Sequence, residues 1–232
     1  MSTKTTVAFI ALLTVGCSSA HAKVAAHPTP THASPSAVTP STTAADAKLS
    51  RQLVVASDLP AGYTKDQQTK GTSLSVSASD SLCARDFAGV SRLATTGALA
   101  PLAHAQTSFS QTKSPNFIRS AAFRYRDSQS ATRVLNAVHD VFSRCRTFTA
   151  TNPTTKRVVS VTLSPLPFPH LGDGGAATDG TLTANGQHVY VDMVFVRSAA
   201  SIAYVAALTT GQRDFAALKR AARAQVHRLG SV

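Results

Sequence analysis

Residues Asp127 to Phe148 read DSQSATRVLNAVHDVFSRCRTF, and the interpretation of the whole chain starts from this stretch. Its apolar side chains recur at steps of three and four residues, which is the spacing of one face of an α-helix. Asp127 comes just before the run and offers a side-chain oxygen that can cap free backbone N–H groups. The pattern predicts a helix from Asp127 to Phe148. Its buried stripe is formed by Ala131, Val134, Leu135, Val138, Val141, Phe142 and Cys145.

The predicted helix places a thiol in the core, and the three cysteines of the chain suggest its partner. Cys17 lies near the N-terminus, where it is either modified or removed, so Cys83 and Cys145 remain as an even pair. A bridge between them closes a loop of about 60 residues, which the chain-entropy model values at roughly 4 kcal/mol. The alternative is a reactive thiol, because Arg144 and Arg146 flank Cys145 and cations lower a thiol pKa. Neighbours on a helix point away from the apolar stripe, so we predict the disulfide.

The N-terminus has the layout of an export signal. Lys4 precedes an apolar run, Val7 to Gly16, that is too short to span a bilayer core of about 30 Å. The segment Leu13 to Cys17 (LTVGC) resembles the lipobox of bacterial lipoproteins, in which the cysteine is lipidated and becomes the mature N-terminus. The alternative is cleavage after Ala22, which would release a soluble protein. Both processing routes export the chain.

Three regions follow from this pattern. Residues 1–16 form the signal peptide. Residues 17–48 comprise the lipidated Cys17 and a tether of Ala, Thr, Ser and Pro, whose composition predicts disorder. Residues 49–232 form a single domain, in which we find no internal repeat.

The chain is strongly basic, with 23 Lys and Arg against 11 Asp and Glu and a net charge of +12. Inside a cell such a balance would suggest nucleic acid as a partner. The basic residues are scattered, however, and recognition motifs are missing, so we expect no nucleic acid partner. For an exported protein, attraction to anionic lipid or cell-wall polymer, or a merely solubilising surface, is the better interpretation.

The secondary-structure pattern predicts an α+β fold. Strict alternation in Ala103 to Ser110 and in Phe117 to Arg126 indicates strands with one buried face. Asn185-Gly186 is a strong hairpin signal between two further strands. The C-terminal stretch Gln212 to Leu229 has helical periodicity. We expect a mainly antiparallel sheet with the two main helices packed on one face, and one disulfide.

These residues resemble a known group, the actinobacterial exported lipoproteins with PknH-like extracellular sensor domains. The likeness rests on the exported start, the tether, the turn Asp58 to Tyr63 (DLPAGY) and the distant cysteine pair, and it covers about Leu49 to Val232. A second, short-span bridge of the kinase domain has no counterpart here. The resemblance implies an α+β domain with a groove for an unidentified ligand, and it transfers no catalytic or binding residue. Any signalling output would need another protein.

The sequence contains no G-x-S-x-G elbow, H-E-x-x-H pair, Walker loop or cysteine–histidine metal spacing. We therefore expect no catalytic residues, no metal site and no cofactor. Asp173 and Asp179 flank a Gly-rich loop, but calcium ligands usually come at closer spacing.

One polar constellation is a candidate binding site. The predicted strand Gln187 to Val196 is apolar at odd positions, and its even positions begin with polar residues. If both helices cover the apolar face, the polar positions of this strand and of Phe117 to Arg126 line the uncovered face, where they could bind a polar or anionic ligand. The alternative is a wetted face with incidental charges. The candidate residues are Arg124, Arg126, His188, Tyr190 and Asp192.

The sequence thus favours an exported, lipid-anchored, non-catalytic domain that binds a small molecule or a component of the cell envelope. Two alternatives remain at this point, a secreted hydrolase of cell-envelope esters and an interaction module without a pocket. A groove with convergent polar groups would favour binding. A nucleophile and a base at hydrogen-bond distance would favour the hydrolase.

Overall fold

A computed structural model of the chain describes residues 44–66, 75–76, 81–93, 99–151 and 158–230. The predicted signal peptide, Cys17 and the tether as far as residue 43 lie outside the described residues. No helix in the described part is long and apolar enough to cross a membrane. The elements are α1 (Ala44–Ser50), β1 (Tyr63–Lys65), β2 (Ser75–Val76), α2 (Ser81–Leu93), β3 (Ala103–Gln111), β4 (Phe117–Arg124), α3 (Ser128–Arg144), β5 (Thr147–Thr151), β6 (Val158–Pro165), β7 (Gly174–Ala184), β8 (Gln187–Ser198), β9 (Ser201–Thr210) and α4 (Phe215–Gly230).

The strands form one nine-stranded sheet in the order β1-β3-β4-β9-β8-β7-β6-β5-β2. Every neighbouring pair is antiparallel, which confirms the predicted sheet type and the α+β class. Asn185 and Gly186 have φ values of 51° and 73° and form the two-residue turn between β7 and β8. Positive φ at both central residues is what a type I′ hairpin requires, and Asn-Gly tolerates it best.

Buried side chains form two cores, one on each face of the sheet. On one face, called the α3 face below, Met193 and Phe195 of β8 pack with residues of α3. On the other, called the α4 face, Val194 and Val196 pack with residues of α1 and α4. The two main helices therefore lie on opposite faces, and the expectation that both cover one face is wrong. The physical reason is that β8 and β9 are apolar at consecutive positions, so both of their faces must be removed from water.

Helix α3 confirms the predicted stripe and corrects its end. All six predicted stripe residues from Ala131 to Phe142 are buried. Asp127 is the N-cap, and its Oδ1 accepts a hydrogen bond of 2.7 Å from the backbone N–H of Ser130. The helix ends at Arg144 rather than Phe148, because the chain turns at Cys145 and continues as β5. Phe148 is buried as a strand residue, in a β-branched and aromatic segment that suits a sheet.

The predicted disulfide is present. Cys83 of α2 and Cys145 are bonded, with their Cα atoms 5.6 Å apart and a sequence separation of 62 residues. Both cysteines belong to the core on the α3 face, and Cys145 is 0% exposed. The bridge therefore fastens α2 to the end of α3 inside the apolar layer, as a structural bond rather than a reactive thiol.

The N-terminal part of the domain is fastened to the α4 face. The first described helix, α1, begins at Ala44, five residues before the predicted start of the domain at Leu49. Leu49 is buried, and Asp46 Oδ1 accepts a hydrogen bond of 2.8 Å from the backbone N–H of His104 on β3. These contacts place the last residues of the predicted tether in the folded domain.

The DLPAGY turn has two structural contacts with α4. Asp58 accepts hydrogen bonds from Arg228 at 2.7 Å and 2.9 Å. The hydroxyl group of Tyr63 donates to Asp214 at 3.2 Å, just before α4 begins. Gly62 has a φ of 96°, a backbone conformation that favours glycine. The motif that carried the family resemblance therefore joins the N-terminal segment to the last helix.

Candidate functional site

The five predicted site residues separate into two groups along the strands. Asp192 of β8 lies opposite Ala207 of β9, which lies opposite Ile118 of β4. Arg124 is six residues further along β4, which corresponds to about 20 Å. Arg126 follows the end of β4 and is exposed. The two arginines therefore lie at the opposite end of the sheet from Asp192.

The other predicted residues differ in environment. His188 is exposed at the β7–β8 hairpin, where its Nδ1 lies 3.0 Å from Thr183 Oγ1. Arg124 donates a hydrogen bond to Ser201 Oγ at 3.2 Å. The predicted strand parity is correct, since the odd positions of β8 face α3. Of the even positions, Val194 and Val196 pack with α4 and Asp192 is buried, so that face is not open to solvent along its length. The five residues do not line one surface, and ligand binding by any of them stays a prediction.

Arg213, in the loop before α4, joins two of these residues into a cluster. Its guanidinium forms an ion pair with Asp192 and a second one, at 3.4 Å, with Asp179. It donates to Thr181 Oγ1 at 3.1 Å, and its Cζ lies 4.6 Å from the centroid of the Tyr190 ring. We call these five residues the Arg213 cluster.

Burial dominates the electrostatics of this cluster. The side chain of Asp192 is 0% exposed, whereas that of Arg213 is 20% exposed. Burial raises the pKa of Asp192 to about 6, Arg213 opposes the rise, and Asp179 adds to it. The pKa of Asp192 stays raised although Arg213 is close, because the loss of hydration destabilises the carboxylate more than the attraction to Arg213 stabilises it.

The Arg213 cluster acts as an interior brace for the start of α4. Arg213 precedes Asp214, whose Oδ1 accepts a hydrogen bond of 3.0 Å from the backbone N–H of Ala217 in the first turn of α4. Since Asp192 has no exposed surface, its carboxyl group is not accessible to a substrate. The cluster therefore fixes the position of a helix on the sheet, and it leaves no acid or base open to solvent at Asp192.

Another buried arginine, Arg119, lies on the α3 face, in the half of the sheet formed by β3 and β4. Helix α3 packs across β6 to β9 and, in the described part of the chain, no helix packs on that face of β3 and β4. Arg119 occupies this half and is only 7% exposed. In the strand register it lies between Ser108 of β3 and Ala206 of β9.

The guanidinium of Arg119 extends toward the next row of the sheet. It donates a hydrogen bond of 2.6 Å to Gln106 Oε1, and Gln106 belongs to the row that also holds Ala121 and Tyr204. Burial lowers the pKa of Arg119, and the interaction with Tyr204 opposes this effect. Burial raises the pKa of Tyr204 to about 12, and Arg119 opposes it. We call Gln106, Ser108, Arg119, Ala121 and Tyr204 the Arg119 site.

The sequence carries a signal for this site. Phe117, Ala121 and Phe123 are apolar and share one strand parity, and Arg119 has the same parity. A charged residue in the apolar register of a strand is expensive to bury and indicates a specific role. Gln106 and Tyr204 could not be added from the sequence, because they come from other strands.

Two other features of the described residues bear on metal or ligand binding. Among the described residues, no group of three or more His, Cys, Asp or Glu side chains is placed to hold a metal ion. A cleft of about 150 Å³ opens between the segment Leu166 to Leu171 and strands β7 and β8. Ligand pockets commonly measure about 300–1,000 Å³, so this cleft is small for an organic ligand.

One solved structure with a similar fold is the extracellular domain of PknH from Mycobacterium tuberculosis. The TM-score is 0.60 at 14% sequence identity, and the match covers 80% of this chain and 96% of that one. No protein-family model matches the chain. No curated protein matches it significantly. The likeness confirms the expected PknH-like fold, and at this identity it is a likeness of fold alone.

Proposed function

We propose that the chain is an exported, sensor-like domain that binds a ligand outside the cell and catalyses no reaction. A lipid on Cys17 would hold it at the outer face of the cytoplasmic membrane, with the Ala/Thr/Ser/Pro segment as spacer. The ligand would be a small molecule or a component of the cell envelope. The fold likeness to an extracellular domain supports this assignment. So does the core disulfide, since such bonds persist in oxidising compartments.

The observation that carries the proposal is the half of the α3 face over β3 and β4. Polar and aromatic side chains share it, and no described helix packs there. Gln106 is exposed, and Phe117 and Phe123 are partly buried against the core. Ligand sites are commonly lined by aromatic and apolar side chains with a few polar groups among them.

Native mass spectrometry of protein purified from its own host tests the binding function. We expect a bound mass that persists in the folded protein and disappears on denaturation. The control is the same protein after unfolding and refolding in buffer, which should lack the mass and regain it from a host extract. Protein that carries no extra mass and takes none from the extract would contradict the proposal.

The anchor is tested separately with Cys17→Ala. This variant should appear in the medium or accumulate as an unlipidated precursor, because the thiol that accepts the lipid is gone. Ser18→Ala is the control and should stay on the membrane. Native protein that begins at Lys23 and carries no lipid would show that cleavage after Ala22 is correct instead.

A further inference from the structure

The arginines that form ion pairs in the described part of the chain differ from Arg119 in their partners. Arg213 pairs with Asp192 and Asp179, and the other pairs are Arg228 with Asp58, Arg197 with Asp173 and Arg144 with Asp86. Arg119 is more deeply buried than any of these, yet no carboxylate among the described residues forms an ion pair with it.

A buried guanidinium carries five N–H donors, and within the described residues Arg119 uses one in a side-chain hydrogen bond, to Gln106. The acceptor is a neutral amide oxygen, so within the described residues no carboxylate pairs with this positive charge. Effective penalties for a buried ion are several kcal/mol. A negatively charged ligand would remove this penalty on binding, whereas a neutral ligand would not.

Arg119 has short side chains on three sides. Its neighbours in the register are Ser108 and Ala206 across the strands, and Ala121 two residues along β4, while Phe117 lies two residues away in the other direction. The guanidinium is directed toward Gln106. The amide group of Gln106 is exposed and can donate to a ligand beside the guanidinium.

Apolar side chains lie near Arg119 on the same face. Phe117 and Phe123 share the strand parity of Arg119, lie on either side of it along β4, and are partly buried against the core. A ligand whose charged end reaches Arg119 would therefore place its uncharged part on aromatic rings. This arrangement differs from a site for a free inorganic ion, which needs no apolar border.

Resting on the proposed function and deepening it, we propose that Arg119 is the receptor for an oxyanion, a carboxylate or phosphate group, on a ligand with an apolar portion. The guanidinium pairs with the oxyanion through parallel hydrogen bonds, Gln106 donates a further one, and the apolar portion lies on Phe117 and Phe123. No bond is made or broken, so the site recognises the ligand without changing it.

The experiment measures binding of matched probes by calorimetry. Octanoate and dihexanoyl phosphatidate carry a carboxylate or a phosphate on an apolar body, and octanol has the apolar body without charge. We expect both anions to bind wild-type protein more tightly than octanol. Arg119→Met should weaken both anions about tenfold or more and leave octanol unchanged. Arg223→Met removes an exposed charge from α4 and should change nothing. The stronger of the two anions identifies the class of head group.

A second measurement keeps the test independent of whether Arg119→Met folds. With ¹⁵N-labelled arginine, the Nε–H resonance of Arg119 is identified as the one that is missing from the spectrum of Arg119→Lys. In wild-type protein this resonance should shift when octanoate is added and should not shift when octanol is added. Arg119→Lys keeps the charge without the planar fork, so its loss of affinity should be smaller than that of the methionine variant.

The inference is overturned if neither anion binds wild-type protein, if octanol binds as tightly as octanoate, or if Arg119→Met keeps wild-type affinity for both anions. The proposed function has its own readout in the ligand that co-purifies from the host. If Arg119→Met from the host still carries that ligand, the domain binds ligand elsewhere and only the assignment of Arg119 fails. If wild-type protein carries none, the proposed function fails.

Discussion

Replacing Arg213 by methionine should destabilise the domain at neutral pH much more than in mild acid. Methionine keeps much of the apolar stem but removes the cation that faces Asp192 and Asp179. Asp192 is fully buried, so its carboxylate would be left without its ion-pair partner. Breaking a buried pair from one side costs about 3–5 kcal/mol. Because Arg213 is 20% exposed, solvent screens part of the interaction and we expect the lower end, about 3 kcal/mol.

The sign of the pH dependence follows from the pKa of Asp192. The folded state raises this pKa from its ordinary 3.8 to about 6, so the folded protein binds a proton more tightly than the unfolded chain. The stability that this group contributes is complete below about pH 4 and falls as the pH rises through about 6, by roughly 3 kcal/mol in all. Removing Arg213 raises the pKa further, because Arg213 opposes the effect of burial. The deficit of the variant therefore grows with pH.

In mild acid Asp192 is protonated in both proteins, and only the other contacts of Arg213 are lost. These are the ion pair with Asp179, the hydrogen bond to Thr181 and the stacking on Tyr190, together about 1–2 kcal/mol. Urea unfolding at about pH 4.5 and about pH 7.5 measures the difference. The control is Lys219→Met, an exposed charge on α4 that should have little effect at either pH.

The double variant Asp192→Asn with Arg213→Met should recover part of the loss at about pH 7.5, since the side chain left in the core is then uncharged. The reasoning would be refuted if Arg213→Met lowered the unfolding free energy by less than about 1 kcal/mol at about pH 7.5. It would also be refuted if the loss were equal at both pH values. Either result would mean that Asp192 finds another partner or remains solvated.

Two further predictions concern the core. Replacing both Cys83 and Cys145 by Ser should lower the unfolding free energy by about 4 kcal/mol relative to the oxidised protein, as measured by urea denaturation; mass spectrometry that finds both thiols alkylated in folded, unreduced protein would exclude the bridge. Gln225 is fully buried on α4, accepts a hydrogen bond from Ser120 and donates to the carbonyl of Ala121 at 2.7 Å. Gln225→Leu should cost about 1–3 kcal/mol, with partial recovery in the double variant with Ser120→Ala, and equal stabilities of the single and double variants would contradict this coupling.

Local sequence signals predicted the elements that depend on nearby residues. The cap at Asp127, the buried stripe of α3 and the Asn185-Gly186 turn need only neighbours within a few positions, and all are found. The cysteine count gave a long-range contact because only one pair remained for the core. The predicted end of α3 at Phe148 is wrong. Phe148 continues the helical spacing of apolar residues, but it lies in strand β5 and the helix ends at Arg144.

The sequence also indicates that helices cover both faces of the sheet, but the signal lies in the second half of β8 and in β9. Polar residues at 188, 190 and 192 suggested a wet face, whereas Met193 to Val196 and Ile202 to Leu208 are continuously apolar. Continuous apolar runs indicate strands covered on both sides. Partners of Asp192 and Arg119 come from loops and strands far away in the chain. No local sequence pattern specifies such long-range contacts. Only the structure therefore distinguishes Arg213, which pairs with Asp192, from Arg119, which we propose to bind a ligand.

The contact between Asp46 and the backbone of His104 also bears on how separate copies of the domain meet. The N–H of His104 points outward from β3, beyond the end of the short strand β1, where a strand from another molecule could otherwise pair. A carboxylate on that N–H and helix α1 beside it block this kind of pairing, and the outermost strands β1 and β2 span only three and two residues. Separate copies of the domain are thus protected from edge-to-edge aggregation at this position by helix α1, the first described element.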